Sequence, residues 1–88
     1  MNGIIEIIKP GATDGEKIRL QLKYRRHRLL LALIRGARLT TLEMCEKFCI
    51  CDPRSEIRFL RKAGHNILDE WKVSIDGVKY KEYFINQQ

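Results

Sequence analysis

The feature that most constrains this chain is a pair of helix-start signals with very little sequence between them. Thr40 is followed three positions on by Glu43, the capping-box pattern in which each side chain takes the other residue's backbone N–H. Leu39 and Met44 stand at the two positions of a hydrophobic staple around it. Asp52-Pro53 then supplies a second N-cap and a favoured first helical residue. The spacing predicts a helix from Thr40 to about Phe48, a turn of three to four residues at Cys49-Ile50-Cys51, and a further helix over about Pro53 to Ala63, closed by Gly64.

The flanking sequence adds one more helix and one clear hairpin. Residues Tyr24 to Arg35 are rich in Leu, Ala and Arg, all good helix formers, and Gly36 sits where a C-terminal cap belongs. On the second helix, Leu42, Cys45 and Phe48 are expected on the buried face. On the third, Ile57, Leu60 and Ala63 fall on one side, with Arg54, Arg58 and Lys62 on the other and Ser55 beside them. The tail alternates through Trp71, Val73 and Ile75, turns at Asp76-Gly77, and alternates again through Val78, Tyr80 and Glu82. A two-residue loop would pair Ile75 with Val78, Val73 with Tyr80 and Lys72 with Lys81, placing Lys72, Lys79 and Lys81 on one face. Trp71 and Tyr80 are expected to pack under the hairpin. Upstream, Ile4–Ile8 reads as a strand, and Pro10-Gly11 and Asp14-Gly15 as turns. Lys17–Leu22 reads equally as a second strand or as an early start to the first helix. The chain is thus expected to divide into an N-terminal arm, residues 1–22, forming a β-hairpin or partly disordered, and a domain over residues 23–88.

Composition narrows what such a domain does. In 88 residues, 17 Lys and Arg against 11 Asp and Glu give a formal charge of +6, so an anionic partner is expected, with nucleic acid the commonest. The longest apolar run, Leu29 to Ile34, is far short of the roughly 18 residues of a membrane span, and the opening residues carry no export signal. A cytoplasmic, nucleoid-associated location is therefore expected. Cys45, Cys49 and Cys51 are odd in number and lack metal-ligand spacing, so they are expected as buried or half-buried free thiols, with no metal and no cofactor. His27 and His65 are the only histidines and lie in basic surroundings. With no nucleophile–base pattern and no Gly-rich phosphate loop, an enzyme and a small-molecule substrate are not expected.

The order helix, capped short helix, tight turn, basic helix and hairpin reads as an α+β winged helix-turn-helix: three helices followed by a β-hairpin wing, with the arm as a further β segment. The expected partner is double-stranded DNA. Helix 53–63 would enter the major groove, where Arg54, Ser55, Arg58 and Lys62 reach base edges or phosphates. Thr40 and Thr41, at a helix N-terminus, would meet a phosphate. Lys72, Lys79 and Lys81 on the wing, residues 71–85, would grip the backbone, joined by Arg25 and Arg28. Arg61 is expected in a structural pair with Glu56 or an acid of the second helix. Phe59 is expected as a packing residue, with a thymine-methyl contact as the alternative. The Ile4–Ile8 run is a candidate homodimer edge. The rival from another class is a protein-interaction adaptor, and RNA binding is a third reading.

The residues also carry a resemblance. Leu39-Thr40-x-Leu42-Glu43, Phe48-x-Ile50, Ile57-x-x-Leu60-Arg61-x-x-Gly64-x-x-Ile67-x-x-x-Trp71 and Tyr83-x-Ile85 resemble the small winged helix-turn-helix proteins of phages, prophages and other bacterial mobile elements. The likeness runs from Leu29 to Ile85. It implies a DNA-binding fold; within the DNA-binding reading three roles compete, a transcriptional regulator, an excisionase-like architectural factor and an accessory replication protein. Cys49 stands where similar proteins usually carry Gly in the turn.

Overall fold

A computed structural model describes residues 3–10 and 15–86. The elements run β1 (Ile4–Ile8), β2 (Lys17–Gln21), α1 (Arg25–Ile34), α2 (Thr41–Phe48), α3 (Pro53–Lys62), β3 (Ile67–Val73) and β4 (Lys79–Ile85). Both sheets are antiparallel pairs, β1 with β2 and β3 with β4. Lys17–Gln21 is therefore a strand and not the start of a helix. Of the two upstream turns, Gly11 and Asp14 lie outside the described residues.

α1 is the centre of the molecule. Leu29, Leu30, Leu31 and Leu33 are all buried, which wraps apolar surface around more than one side of the helix, as expected of a core helix. It packs against β2, α2 and β4. Leu20 of β2 enters the same cluster as Leu39, Met44, Ile50, Ile57, Leu60 and Ile67, with Ile5, Ile7 and Ile18 half-buried against it. The N-terminal hairpin thus lays one apolar face on the core and turns Ile4 and Ile8 outward. Its Lys9 reaches the far end of α3, where a Cβ added at Gly64 would stand 3.3 Å from the ammonium group.

The helix ends follow local chemistry. Thr40 Oγ accepts from the Glu43 N–H at 3.1 Å, and the Thr40 N–H donates to the Glu43 carboxylate at 3.0 Å. Asp52 accepts from the Ser55 N–H and hydroxyl, and these bonds hold its carboxyl below its ordinary pKa. α1 and α3 close with matching Schellman bonds, Ala37 N–H to Ala32 and Gly36 N–H to Leu33 in one, His65 N–H to Leu60 and Gly64 N–H to Arg61 in the other.

Several burial expectations are corrected. The inward face of α2 is Thr41, Met44, Cys45 and Phe48, an i, i+3, i+4, i+7 stripe, so Leu42 points out and is 66% exposed. On α3, Pro53, Ile57 and Leu60 are buried, while Ala63, at the C-cap, is exposed. Cys45 is half-buried, but Cys49 and Cys51 are exposed because the turn carrying them lies outside the core and only Ile50 between them points in.

The wing is also corrected. β3 begins at Ile67, not Trp71, since Ile67 packs in the core and β3 runs on from there. The register pairs Trp71 with Lys81, Lys72 with Tyr80 and Val73 with Lys79. The loop is three residues, Ile75-Asp76-Gly77. Gly77 alone adopts a left-handed φ of 84°, the pattern of a type I turn followed by a bulge glycine. A two-residue loop of the favoured type would require positive φ at Asp76 as well, at a steric cost that this loop avoids. The Ser74 hydroxyl secures the turn by accepting from the Val78 N–H at 3.1 Å and bonding the Asp76 carboxylate.

Two predictions follow from local conformation and burial. Cys49 adopts φ 55°, ψ 38°, a left-handed conformation that costs an L-residue about 1–2 kcal/mol. Glycine avoids that cost but gains about 0.4–1 kcal/mol of chain entropy when unfolded. Cys49→Gly is therefore expected to stabilise the fold by about 0.5–1 kcal/mol, a rise in Tm of about 2–8 °C by calorimetry. His65 is half-buried, and burial first, then the charge of Lys9, lowers its pKa from 6.5, against an opposing pull from Glu16. The unfolded chain then binds this proton more readily than the folded one, so stability is full above 6.5 and falls as the pH drops below it. His65→Gln is expected to flatten urea midpoints measured between pH 7.5 and 5.5.

Candidate nucleic-acid interface

A groove of about 950 Å³ runs between α3 and the wing. One wall is α3, with Arg54, Arg58, Arg61 and Lys62. The other is the wing, with Trp71, Lys79, Tyr80, Lys81 and Tyr83. The N-terminus of α2 forms an end, with Thr40, Thr41 and Leu42. Six cationic side chains and no carboxylate line it.

The groove holds its shape through backbone bonds. Leu39 and Tyr83 exchange N–H···O bonds of 3.0 and 2.8 Å, which tie the segment before α2 to the outer edge of β4. The capping box then starts α2 at the groove's end, and α3 follows across the Cys49–Cys51 turn. Arg61 joins α3 to β3 by donating to the Ile67 carbonyl and to the Asp69 carboxylate, both at 2.9 Å.

Among the sequence-predicted residues, the structure brings together Thr40, Thr41, Arg54, Arg58, Lys62, Lys79 and Lys81. Among the described residues, Arg54, Arg58, Lys62, Lys79 and Lys81 form no ion pair; each ammonium or guanidinium keeps its charge available to a ligand. Ser55 is not in the groove wall, and its hydroxyl is spent on the Asp52 cap. Arg25 donates to the Cys49 carbonyl at 3.1 Å and Arg28 to the Leu22 carbonyl, so both brace backbone.

Lys72 lies on the opposite face of the wing from Lys79 and Lys81, because the three-residue loop shifts β4 by one position against the expected pairing. There it pairs with Glu70 at 2.8 Å, and this contact raises its pKa while lowering that of Glu70. Glu70 stands directly across the ladder from Glu82, and Arg38 bridges the two at 3.4 and 3.1 Å with its guanidinium 4.0 Å from the Phe84 ring centre. The wing therefore sorts its charges: Glu70 and Glu82 lie with Lys72 and Arg38 on one face, while Lys79 and Lys81 lie on the other, where Asp69 is engaged by Arg61.

Three further expectations change. Arg61 pairs with Asp69, not with Glu56 or an acid of α2; Glu56 is taken by Arg26, and Arg61, in the last turn of α3, faces β3. Phe59 is half exposed, with the Arg26 guanidinium 3.6 Å from its ring centre, and it does not line the groove. Trp71 does not pack under the wing: it is 64% exposed on the groove face. Trp71, Leu42 and Arg61 are thus groove residues that the spacing argument placed elsewhere. The signal for Trp71 was present in Ser74 and Gly77, which together set the loop length.

No helix among the described residues is long and apolar enough to cross a membrane. No curated protein matches the chain significantly, and no solved structure does. A family model described as winged helix-turn-helix domain matches residues 25–88, from the first turn of α1 through the wing. That span contains every element that walls the groove, and on it the chain belongs to the winged helix-turn-helix family.

Proposed function

We propose that this protein binds double-stranded DNA, with α3 in the major groove and the wing on the flanking backbone. The observation that carries the reading is the carboxylate-free groove face with six cations from two separate elements. Arg54 and Arg58 reach base edges or phosphates with planar, forked donors. Lys62, Lys79 and Lys81 neutralise phosphates, and the N-terminus of α2 offers backbone N–H groups to another. A single module of this kind buries about 600–1,000 Å² of protein surface on DNA. The role we propose is that of a nucleoid-associated transcriptional regulator or excisionase-like architectural factor of a phage or mobile element.

So small a footprint favours pairing of two chains. The outward Ile4 and Ile8, 52% and 63% exposed on a strand with a free edge, support a homodimer through the N-terminal arm. Replacing both with Lys is expected to leave a monomer in sedimentation equilibrium. A dimer that survives the replacement rules this interface out.

The DNA reading is tested by fluorescence anisotropy on a 20-base-pair duplex over a range of salt. Log affinity should fall with log salt by about 0.9 for each phosphate contacted. Arg58→Ala is expected to cost about 1–3 kcal/mol of binding. Lys79→Ala should reduce the salt slope by about one phosphate. Lys72→Ala should change affinity less than twofold, because Lys72 sits on the far face beside Glu70. Equal binding by wild type and Arg58→Ala would turn the reading toward a protein-interaction adaptor.

A further inference from the structure

We propose that the groove between α3 and the wing seats an unpaired DNA strand running off the end of a duplex, with Trp71 as the platform on which its first base stacks. The proposal rests on the duplex-binding reading and names a preferred substrate within it.

Trp71 is a large apolar ring left out of a core that, among the described residues, holds thirteen buried hydrophobic side chains. It lies instead on the cationic face. The register sets it opposite Lys81, whose ammonium nitrogen is 4.9 Å from the ring centre, and Lys79 follows on the same face. Arg54, Arg58 and Lys62 form the facing wall. A cationic groove that tracks phosphates, with an aromatic ring in its wall, is the arrangement that holds single strands. Stacking of this kind tolerates any sequence, because every base presents a π-face.

Geometry separates this ligand from continuous duplex. A duplex engages a helix by receiving it in a major groove about 12 Å wide, so its base pairs lie over α3 and only its backbone meets the wing wall of the slot. Its bases are covered on both faces by their neighbours and give an indole nothing to stack on. The slot of about 950 Å³ is in the range of cavities that enclose small molecules, roughly 300–1,000 Å³, and suits a strand of very few nucleotides. An unpaired base becomes available to Trp71 only where pairing stops.

Trp71 is the one tryptophan of the chain, so its fluorescence reports on the site directly. The test titrates the full chain with a blunt 20-base-pair duplex and with the same duplex carrying a four-thymidine extension. Affinity is read by anisotropy and stacking by tryptophan quenching. The extended duplex is expected to bind at least about fivefold tighter and to quench Trp71 more strongly. Trp71→Ala should bring the ratio of extended-duplex to blunt-duplex affinity to about one, and Trp71→Phe should keep most of the preference. Circular dichroism melting confirms that each variant is folded. Equal affinity of wild type for the two DNAs overturns the proposal. So does a preference that persists in Trp71→Ala, or a loss in that variant that is the same on both. If blunt-duplex binding still depends on Arg58, the duplex reading survives that failure; if the chain binds neither DNA, both fall together.

Discussion

The pair of backbone hydrogen bonds between Leu39 and Tyr83 is the constraint on which the groove depends. Leu39 is buried, and the residue after it caps α2; Tyr83 is buried and sits in the middle of β4. Joining them brings the start of the helix-turn-helix to the root of the wing. A two-stranded hairpin is marginally stable alone in water, and this join adds backbone bonds to the packing of Ile67, Tyr83 and Ile85 in the core. With it, α3 and β4 become the two walls of one slot. The leucines of α1 supply the apolar surface on which both walls rest, and Arg61 closes the remaining side by bonding the first residues of β3.

Charge is distributed to match. The two faces of the wing differ in which charges are paired, because side chains alternate along each strand and the register decides which positions of β3 and β4 share a face. Glu70 and Glu82 would repel across the ladder, and Arg38 between them makes the pair tolerable on the outer face. The inner face keeps Lys79 and Lys81 out of any ion pair, because Asp69 on that face is engaged by Arg61. A loop one residue shorter would place Lys72 opposite Lys81 and put Trp71 on the other side of both lysines. The position of one bulge glycine therefore sets the chemistry of the whole face.

The three helices, their caps and their order were legible in the sequence because each rests on contacts between near neighbours. Thr40 meets Glu43, Asp52 meets Ser55, and the glycines after α1 and α3 complete bonds within a single turn. The basic stripe of α3 was legible for the same reason, since helical period alone aligns Arg54, Arg58 and Lys62. On α2, Cys45 and Phe48 were placed on the inward face but Leu42 was assigned there wrongly, because a short helix with Leu42 and Met44 both apolar offers two stripes and only packing against α1 chooses between them.

By itself, then, the sequence determined where helices begin and end, that a hairpin follows them, and that the molecule carries excess positive charge on a helix suited to a polyanion. The tertiary structure alone decided which cations face the groove. Arg25 is drawn to the Cys49 carbonyl, Arg28 to that of Leu22, and Lys72 to Glu70, while Arg58, Lys79 and Lys81 are left with no such partner. It also decided that Trp71 faces the groove and not the core. The physical reason is separation along the chain. A cap or a helical stripe is fixed by residues a few positions apart, whereas a cation's partner or a ring's surroundings come from elements that meet only when the chain has folded.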